Sequence, residues 1–286
     1  MPFQSNHSSV HHCDTIPAAM MAGEVILSFA DEIQKQVQAS DCEGPGLHLD
    51  ETTGTKLDRY LSQLPLLIGT SSSSIRRRFD HLGTELWNIC TQRMTGRSDP
   101  TSLVLLCKVK ALAWAMLDVA VPDRSLGSFG VLDAAFKLVK ACTENDCIAI
   151  SLKVIEAVAI RLDALEHSEA DVDRARLHRC NVQYYMLRVH LAWLQGRPDI
   201  ADHLYLRVPE SSTGNHCVLD VCFKVGSSAL SGGQHGIAAK WLERGWKQCN
   251  LLIHADGECD VALNDKELLV LHALGGGILC VGLFKC

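Results

Sequence analysis

Apolar residues recur every three to four positions along most of the chain, and no stretch alternates apolar and polar residues with the two-residue period of a strand. Met20, Met21, Ile26, Leu27, Ala30 and Ile33 share one face of a helix predicted over 16–40. Residues 41–55, with Gly44, Pro45, Gly46 and Gly54, read as a loop, and a short helix follows over 56–67. Phe79, Leu82, Leu86, Ile89 and Cys90 mark a helix over 75–95. Residues 101–120 are apolar nearly all round, which predicts a helix buried on most faces; its two lysines make it too mixed for a bilayer span. Pro122 and Gly127 close that segment, and Glu144, Asn145 and Asp146 separate helices predicted over 128–143 and 147–166. Further helices are predicted over 171–195, 198–208, 216–231, 235–252 and 259–274. The pattern specifies an all-α fold.

A repeat runs through the second half. LAWLQGRPDIADHLYLRV (191–208) and GSSALSGGQHGIAAKWLERG (226–245) each carry a helix that ends at Gly, then an Ala five residues on, then a large side chain four residues further. These are Gly196, Ala201 and Tyr205 in the first unit and Gly233, Ala238 and Leu242 in the second, with Gly226 seven residues before the second turn. The spacing follows tetratricopeptide (TPR) grammar. Gly ends the first helix in a left-handed conformation, a small residue such as Gly226 or Ala238 lets the two helices approach, and the bulky residue packs into the next repeat. The two turns are 37 residues apart, a TPR period plus an insertion over 209–215. LKVIEAVA (152–159) resembles AKWLERGW (239–246) in register, which suggests a third, degenerate unit over 132–160 with Ser151 at the small position. The predicted fold is a TPR-like solenoid of helical hairpins, over residues 126–274, following an N-terminal helical region over 16–125.

Solenoids of this type bind extended partners in the groove lined by the first helix of each hairpin. Gln183, Met186, His190 and Trp193 should line it in the first clear unit, and Asp220, Phe223, Ser227 and Leu230 in the second. Trp193 and Phe223 have an alternative role in holding neighbouring repeats together. The rows lack a regular Lys/Asn lattice, so a clamp for a terminal carboxylate is not favoured.

Composition narrows the classes. The chain has 286 residues and a formal net charge of −6, with 6% aromatics and 13 cysteines. The mildly acidic, dispersed charge argues against a general nucleic-acid surface. The one dense basic cluster, Arg76, Arg77 and Arg78, follows the serine run 71–74 and reads as a solvated helix face, with a nucleic-acid or phospho-regulated contact as the alternative. The first 25 residues lack the basic start and continuous apolar run of a signal peptide, and residues 1–15 are polar, His-rich and expected to be a disordered tail. Cys90, Cys107, Cys142, Cys180, Cys222 and Cys249 fall within apolar-periodic segments and are expected to be reduced core thiols in a reducing compartment.

Candidate chemistry falls away on inspection. No Cys-x-x-Cys pair occurs; His216 and Cys217 with Cys222, and His254 with Cys259, have the right ligand types but not the spacing of a structural metal site. The His11, His12, Cys13 run lies on the polar tail. Gly275, Gly276 and Gly277 lack the Gly-Lys-Ser/Thr ending of a phosphate loop, and neither Gly-x-Ser-x-Gly nor His-Glu-x-x-His occurs. The expectation is a non-enzymatic protein with no cofactor, no metal and no membrane anchor.

GTELWNICTQ (83–92), LCKVKALAWAMLDVA (106–120), YYMLRVHLAWLQGRPDIADHLY (184–205) and FKVGSSALSGGQHGIAAKWLERGW (223–246) together resemble the N-terminal part of the meiotic TPR family called Zip-four or Spo-twenty-two, over roughly residues 75–255. The resemblance implies a scaffold in the nucleus, on meiotic chromosomes, that promotes crossovers and synaptonemal complex assembly and links recombination factors to the chromosome axis. The alternative is a general TPR adapter unrelated to meiosis. Family members are much longer solenoids, whereas here the three glycines at 275–277 break the last predicted helix and leave an apolar, aperiodic tail over 275–286. A truncated gene model or fragment is the expectation.

Overall fold

The computed structural model describes residues 23–39, 47–66, 73–96, 99–121, 128–168, 172–210 and 215–256, with side chains to residue 252. Among them are ten helices and no strand: α1 (Gly23–Ala39), α2 (Glu51–Ser62), α3 (Ser73–Met94), α4 (Pro100–Ala120), α5 (Ser128–Glu144), α6 (Ile148–Glu166), α7 (Arg174–Leu194), α8 (Pro198–Tyr205), α9 (His216–Ser231) and α10 (His235–Asp256). The pairs α3/α4, α5/α6, α7/α8 and α9/α10 pack side by side, and α5, α7 and α9 also pack in sequence. The fold is an all-α solenoid of helical hairpins. The tail over 1–15, the helix expected over 259–274 and the segment 275–286 lie outside the described residues.

Burial explains which helices show a clean stripe. α1 buries Ile26, Leu27, Ala30, Ile33 and Val37 along one face. α4 packs on α2, α3 and α5 and touches α6, so Cys107, Val109, Ala111, Leu112, Trp114 and Met116, spread all round it, are buried. α7 is two-faced. Leu177, Cys180, Leu187 and Leu191 join a core that begins at Ile26, while Val182, Met186, Val189 and Ala192 join a second core with Val221, Cys222, Val225 and Trp241.

One boundary differs from the sequence expectation. Residues 51–55, expected in a loop, form the first turn of α2. Asp50 is its N-cap: the carboxylate accepts the Thr53 amide at 2.9 Å and the Thr53 hydroxyl at 2.7 Å. Gln36 of α1 donates to the same hydroxyl at 3.1 Å, and Thr53 is fully buried. This cap outweighs the Gly54 signal. At the start of α4, Asp99 accepts the Ser102 amide at 2.9 Å, and Ser102 Oγ accepts the Leu47 amide at 2.9 Å, which ties the strap before α2 to α4.

A buried ionic knot joins α4, α5 and α6. Arg161 Nε donates to Asp118 Oδ1 at 2.9 Å, Nη1 to Ser128 Oγ at 3.0 Å, and Nη2 to the Asp118 carbonyl at 2.8 Å. Arg161 is buried, whereas the Arg78–Glu24 pair between α3 and α1 is about half exposed. Arg161→Met should therefore cost about 3 kcal/mol in urea unfolding, because it removes the cation of a largely buried ion pair. Arg78→Met should change stability by less than about 1 kcal/mol.

Candidate partner groove

The groove helices are positioned by their turns, and three turns share one geometry. Gly196 and Gly233 have φ of 71° and 70°, and Asp146 takes the same left-handed conformation at φ 57°. The residue after each donates its amide to the carbonyl five positions back: Arg197 to Ala192 at 2.9 Å, Gln234 to Ala229 at 2.8 Å, and Cys147 to Cys142 at 2.7 Å. Gly196 and Gly233 add amide bonds to Trp193 at 2.9 Å and Leu230 at 3.0 Å, completing the Schellman pattern. The small residue five positions past each turn is fully buried: Ser151, Ala201 and Ala238. Each starts the second helix with an amide bond to the turn, at 3.2, 3.1 and 2.9 Å respectively.

The hairpins close where side chains are missing. A Cβ on Gly226 would stand 2.6 Å from Leu242 Cγ and 3.3 Å from the Leu242 amide nitrogen, so this glycine lets α9 and α10 touch. Leu242 thus fills the gap in its own hairpin; the next repeat, into which the sequence expectation has it packing, lies outside the described residues. Tyr205 does reach the next hairpin: its ring meets Trp241 of α10 edge-on at 5.4 Å. The Arg244 guanidinium lies 4.1 Å from the Tyr205 ring and 4.4 Å from the Trp241 ring, and donates to Asp202 of α8 at 2.8 Å. Gly83 repeats the device between α3 and α4, with Ala113 O 3.1 Å from a hypothetical Cβ. A glycine at a buried register position of a helix is the signal that marks it.

The groove residues divide. Gln183, His190, Asp220, Ser227 and Leu230 are half-buried, with part of each side chain at the surface. Met186 is a correction: it is fully buried in the core with Val182, Val189 and Ala201, because α7 is covered on two faces. Trp193 donates its indole N–H to Ser228 Oγ at 3.0 Å, a bond from α7 to α9. Phe223 packs on Leu219, Cys249 and Leu252 beside Trp246. Trp193 thus makes a contact between neighbouring repeats, whereas the Phe223 contacts lie within its own hairpin, and both side chains keep part of their surface exposed. Lys224 and Glu144, which sequence patterning did not single out, form an ion pair at 3.3 Å from α9 to the end of α5. Their charges both act on His190 of the intervening helix α7.

Elsewhere, Arg76 and Arg77 are exposed on α3. An open depression of about 520 Å³ between α1 and α3 is lined by Asp31, Arg77, Arg78, His81 and Glu85 among others, a mixture of both signs. Among the described residues no group of three or more His, Cys, Asp or Glu is placed to hold a metal ion. Of the residues weighed as ligands, His216 is exposed while Cys217 and Cys222 are buried; Cys259 lies outside the described residues, as does the His254 side chain. No described helix is long and apolar enough to cross a membrane.

Two expectations follow from this geometry. Gly226→Ala should cost about 1–3 kcal/mol by overpacking, and Leu242→Ala about 2–5 kcal/mol by cavity formation. The double variant should lose at least about 1 kcal/mol less than the sum, since the new methyl enters the vacated space; urea denaturation of the four proteins measures this. His190 should make stability fall in acid. Burial, then the Lys224 charge, holds its pKa down at about 4 against an ordinary 6.5, with Glu144 opposing. Between those values the unfolded chain binds a proton that the folded chain refuses. This contribution is complete above about pH 6.5 and is lost as pH falls towards 4, by up to about 3 kcal/mol. His190→Gln should flatten that part of the pH–stability curve.

Compared with known proteins, the chain matches no family model, no curated protein and no solved structure.

Proposed function

We propose that the chain is a non-enzymatic TPR-type scaffold that binds proteins along the face built by α5, α7 and α9. The observation that carries this reading is the recurrence of one turn geometry at residues 146, 196 and 233, each followed five residues later by a buried small residue. Such a repeat aligns the first helices of successive hairpins into one extended surface. Gln183, Ser227 and Leu230 offer part-exposed contacts there, and the Glu144–Lys224 pair presents both charges. This suits an extended polypeptide of mixed polarity better than a polyanion.

The partner class comes from the resemblance of four segments to the Zip-four or Spo-twenty-two family. On that basis we propose that the partners are crossover-promoting and chromosome-axis factors, met in the nucleus on meiotic chromosomes. Gly226, Gly233, Ala238, Leu242, Gly196, Ala201 and Tyr205, all within the matching segments, build the hairpins and their contacts.

The test is affinity purification of the tagged chain from meiotic and vegetative cells, beside a Gln183→Arg/Ser227→Arg variant that keeps its helical circular-dichroism signal. Meiotic recombination proteins should co-purify with the wild type and fall at least about tenfold in the variant, a loss of about 1.4 kcal/mol. Even expression in vegetative cells, together with normal crossover numbers after deletion, would refute the meiotic reading. Variant-insensitive partners would refute this face as the binding surface.

A further inference from the structure

Where one hairpin meets the next, the later helices bury the face of the earlier ones. Val182 and Met186 of α7 are buried in the core that α7 shares with Val221, Cys222 and Trp241 of α9 and α10. One 37-residue period on, the same register positions are Leu219 and Phe223 of α9. There a third core begins. Leu219, Cys249 and Leu252 are buried in it, while Phe223 and Trp246 keep part of their surface exposed. α9 and α10 supply all five of these residues, so among the described residues no further hairpin completes this core. A stack of hairpins leaves such an interface at its end for the following unit to cover.

Residues 257–286 follow α10 directly, and they carry the marks of the described turns. At each of those turns the amide after the left-handed residue returns to the carbonyl of Cys142, Ala192 or Ala229, four residues before the left-handed position. A buried small residue, Ser151, Ala201 or Ala238, stands five positions after it. In the remaining chain Ala273 stands four residues before Gly277, as Ala192 does before Gly196 and Ala229 before Gly233, and Gly282 stands five residues after it. The flanking residues agree as well: Ala229 and Leu230 ahead of Gly232 and Gly233 recur as Ala273 and Leu274 ahead of Gly276 and Gly277. The helix expected over 259–274 has the 16-residue length of α9, and Leu268, Leu269, Val270 and Leu271 make its second half apolar all round, as suits a helix covered on more than one face.

We propose that residues 259–286 are a further hairpin of the array, turned at Gly277, and that its first helix docks on the end of α9 and α10 marked by Phe223 and Trp246. This hairpin depends on the repeat that carries the scaffold reading and not on which partners the scaffold meets. The three glycines at 275–277, expected to break a helix ahead of an aperiodic tail, then have distinct places. Gly275 and Gly276 match Ser231 and Gly232, the latter at φ −84°, whereas Gly277 takes the left-handed position that glycine enters without steric cost. Gly282 lets the second helix lie against the first, as Ala201 and Ala238 do. The first helix also adds a fourth member to the face built by α5, α7 and α9, with Asn264 at the register of Gln183 and Asp220.

Hydrogen exchange of the full chain, read by peptide mass spectrometry, tests this without any partner. In the wild type, peptides within 261–274 should exchange at least about tenfold more slowly than an unstructured chain, since docked helices are protected. Gly277→Ala should cut that protection about fivefold or more, because alanine resists the left-handed region. Gly275→Ala and Gly276→Ala should leave it equal or higher, as alanine favours the end of a helix over glycine. Phe223→Ala should cut it about tenfold and leave α4 within about twofold of the wild type; should that variant fail to fold, the glycine series still decides. Four results would overturn the proposal: unprotected exchange over 261–274, a Gly277→Ala variant that behaves like Gly275→Ala, protection indifferent to a folded Phe223→Ala, or protection that rises with protein concentration alongside a dimer in light scattering, which would give the face to a second copy.

Discussion

A single residue held at positive φ reverses the chain in three of the hairpins, and the packing on either side depends on that reversal. Ending a helix leaves carbonyls without partners. The left-handed residue redirects the backbone so that the next amide returns to the carbonyl five residues back, and the second helix begins one residue later. With so short a connector, the second helix must lie against the first. That forces the residue five positions past the turn into the interface, where Ser151, Ala201 and Ala238 are all fully buried. A large side chain there would push the helices apart.

From the turn outward, each contact between hairpins is built differently. Gly226 gives way to Leu242, whereas Tyr205 reaches across to Trp241 with Arg244 between the two rings and Asp202. At the α4–α5–α6 corner the work falls to Arg161, whose guanidinium donates to the Asp118 carboxylate and to the Asp118 and Val121 carbonyls at the end of α4. A shared turn with varied interfaces fits a solenoid in which the backbone geometry repeats and the side chains have diverged.

How much of this was legible depended on range. Gly196 and Gly233 announce their turns because glycine is the residue that enters the left-handed region without steric cost, and Ala201 and Ala238 follow at fixed spacing. Asp146 hides the left-handed conformation, since aspartate reaches that region by tolerating it; Glu144, Asn145 and Asp146 mark a break there, and the faint register of 152–159 ties that break to the repeat. The α2 start was missed because Gly54 is a stronger local signal than an aspartate whose capping partner, Thr53, is also tied to α1. Met186 was misplaced for a geometric reason: the 3.6-residue period marks a face, but α7 is covered on two faces and periodicity does not say which one stays open. The Arg161–Asp118 pair joins residues 43 apart, so it leaves no local mark in the chain.

The most direct measurement compares four glycine or aspartate substitutions by urea denaturation. If the left-handed turns organise the hairpins, Gly196→Ala and Gly233→Ala should each lose about 1 kcal/mol. Asp146→Gly should gain about 0.5 kcal/mol, as strain is relieved against a cost in chain entropy. Gly54→Ala, in the interior of α2 with no neighbour within 4 Å of a new Cβ, should gain about 0.5–1 kcal/mol. A gain at Gly196 or Gly233 like that at Gly54 would mean these residues are not held at positive φ, and would contradict the account.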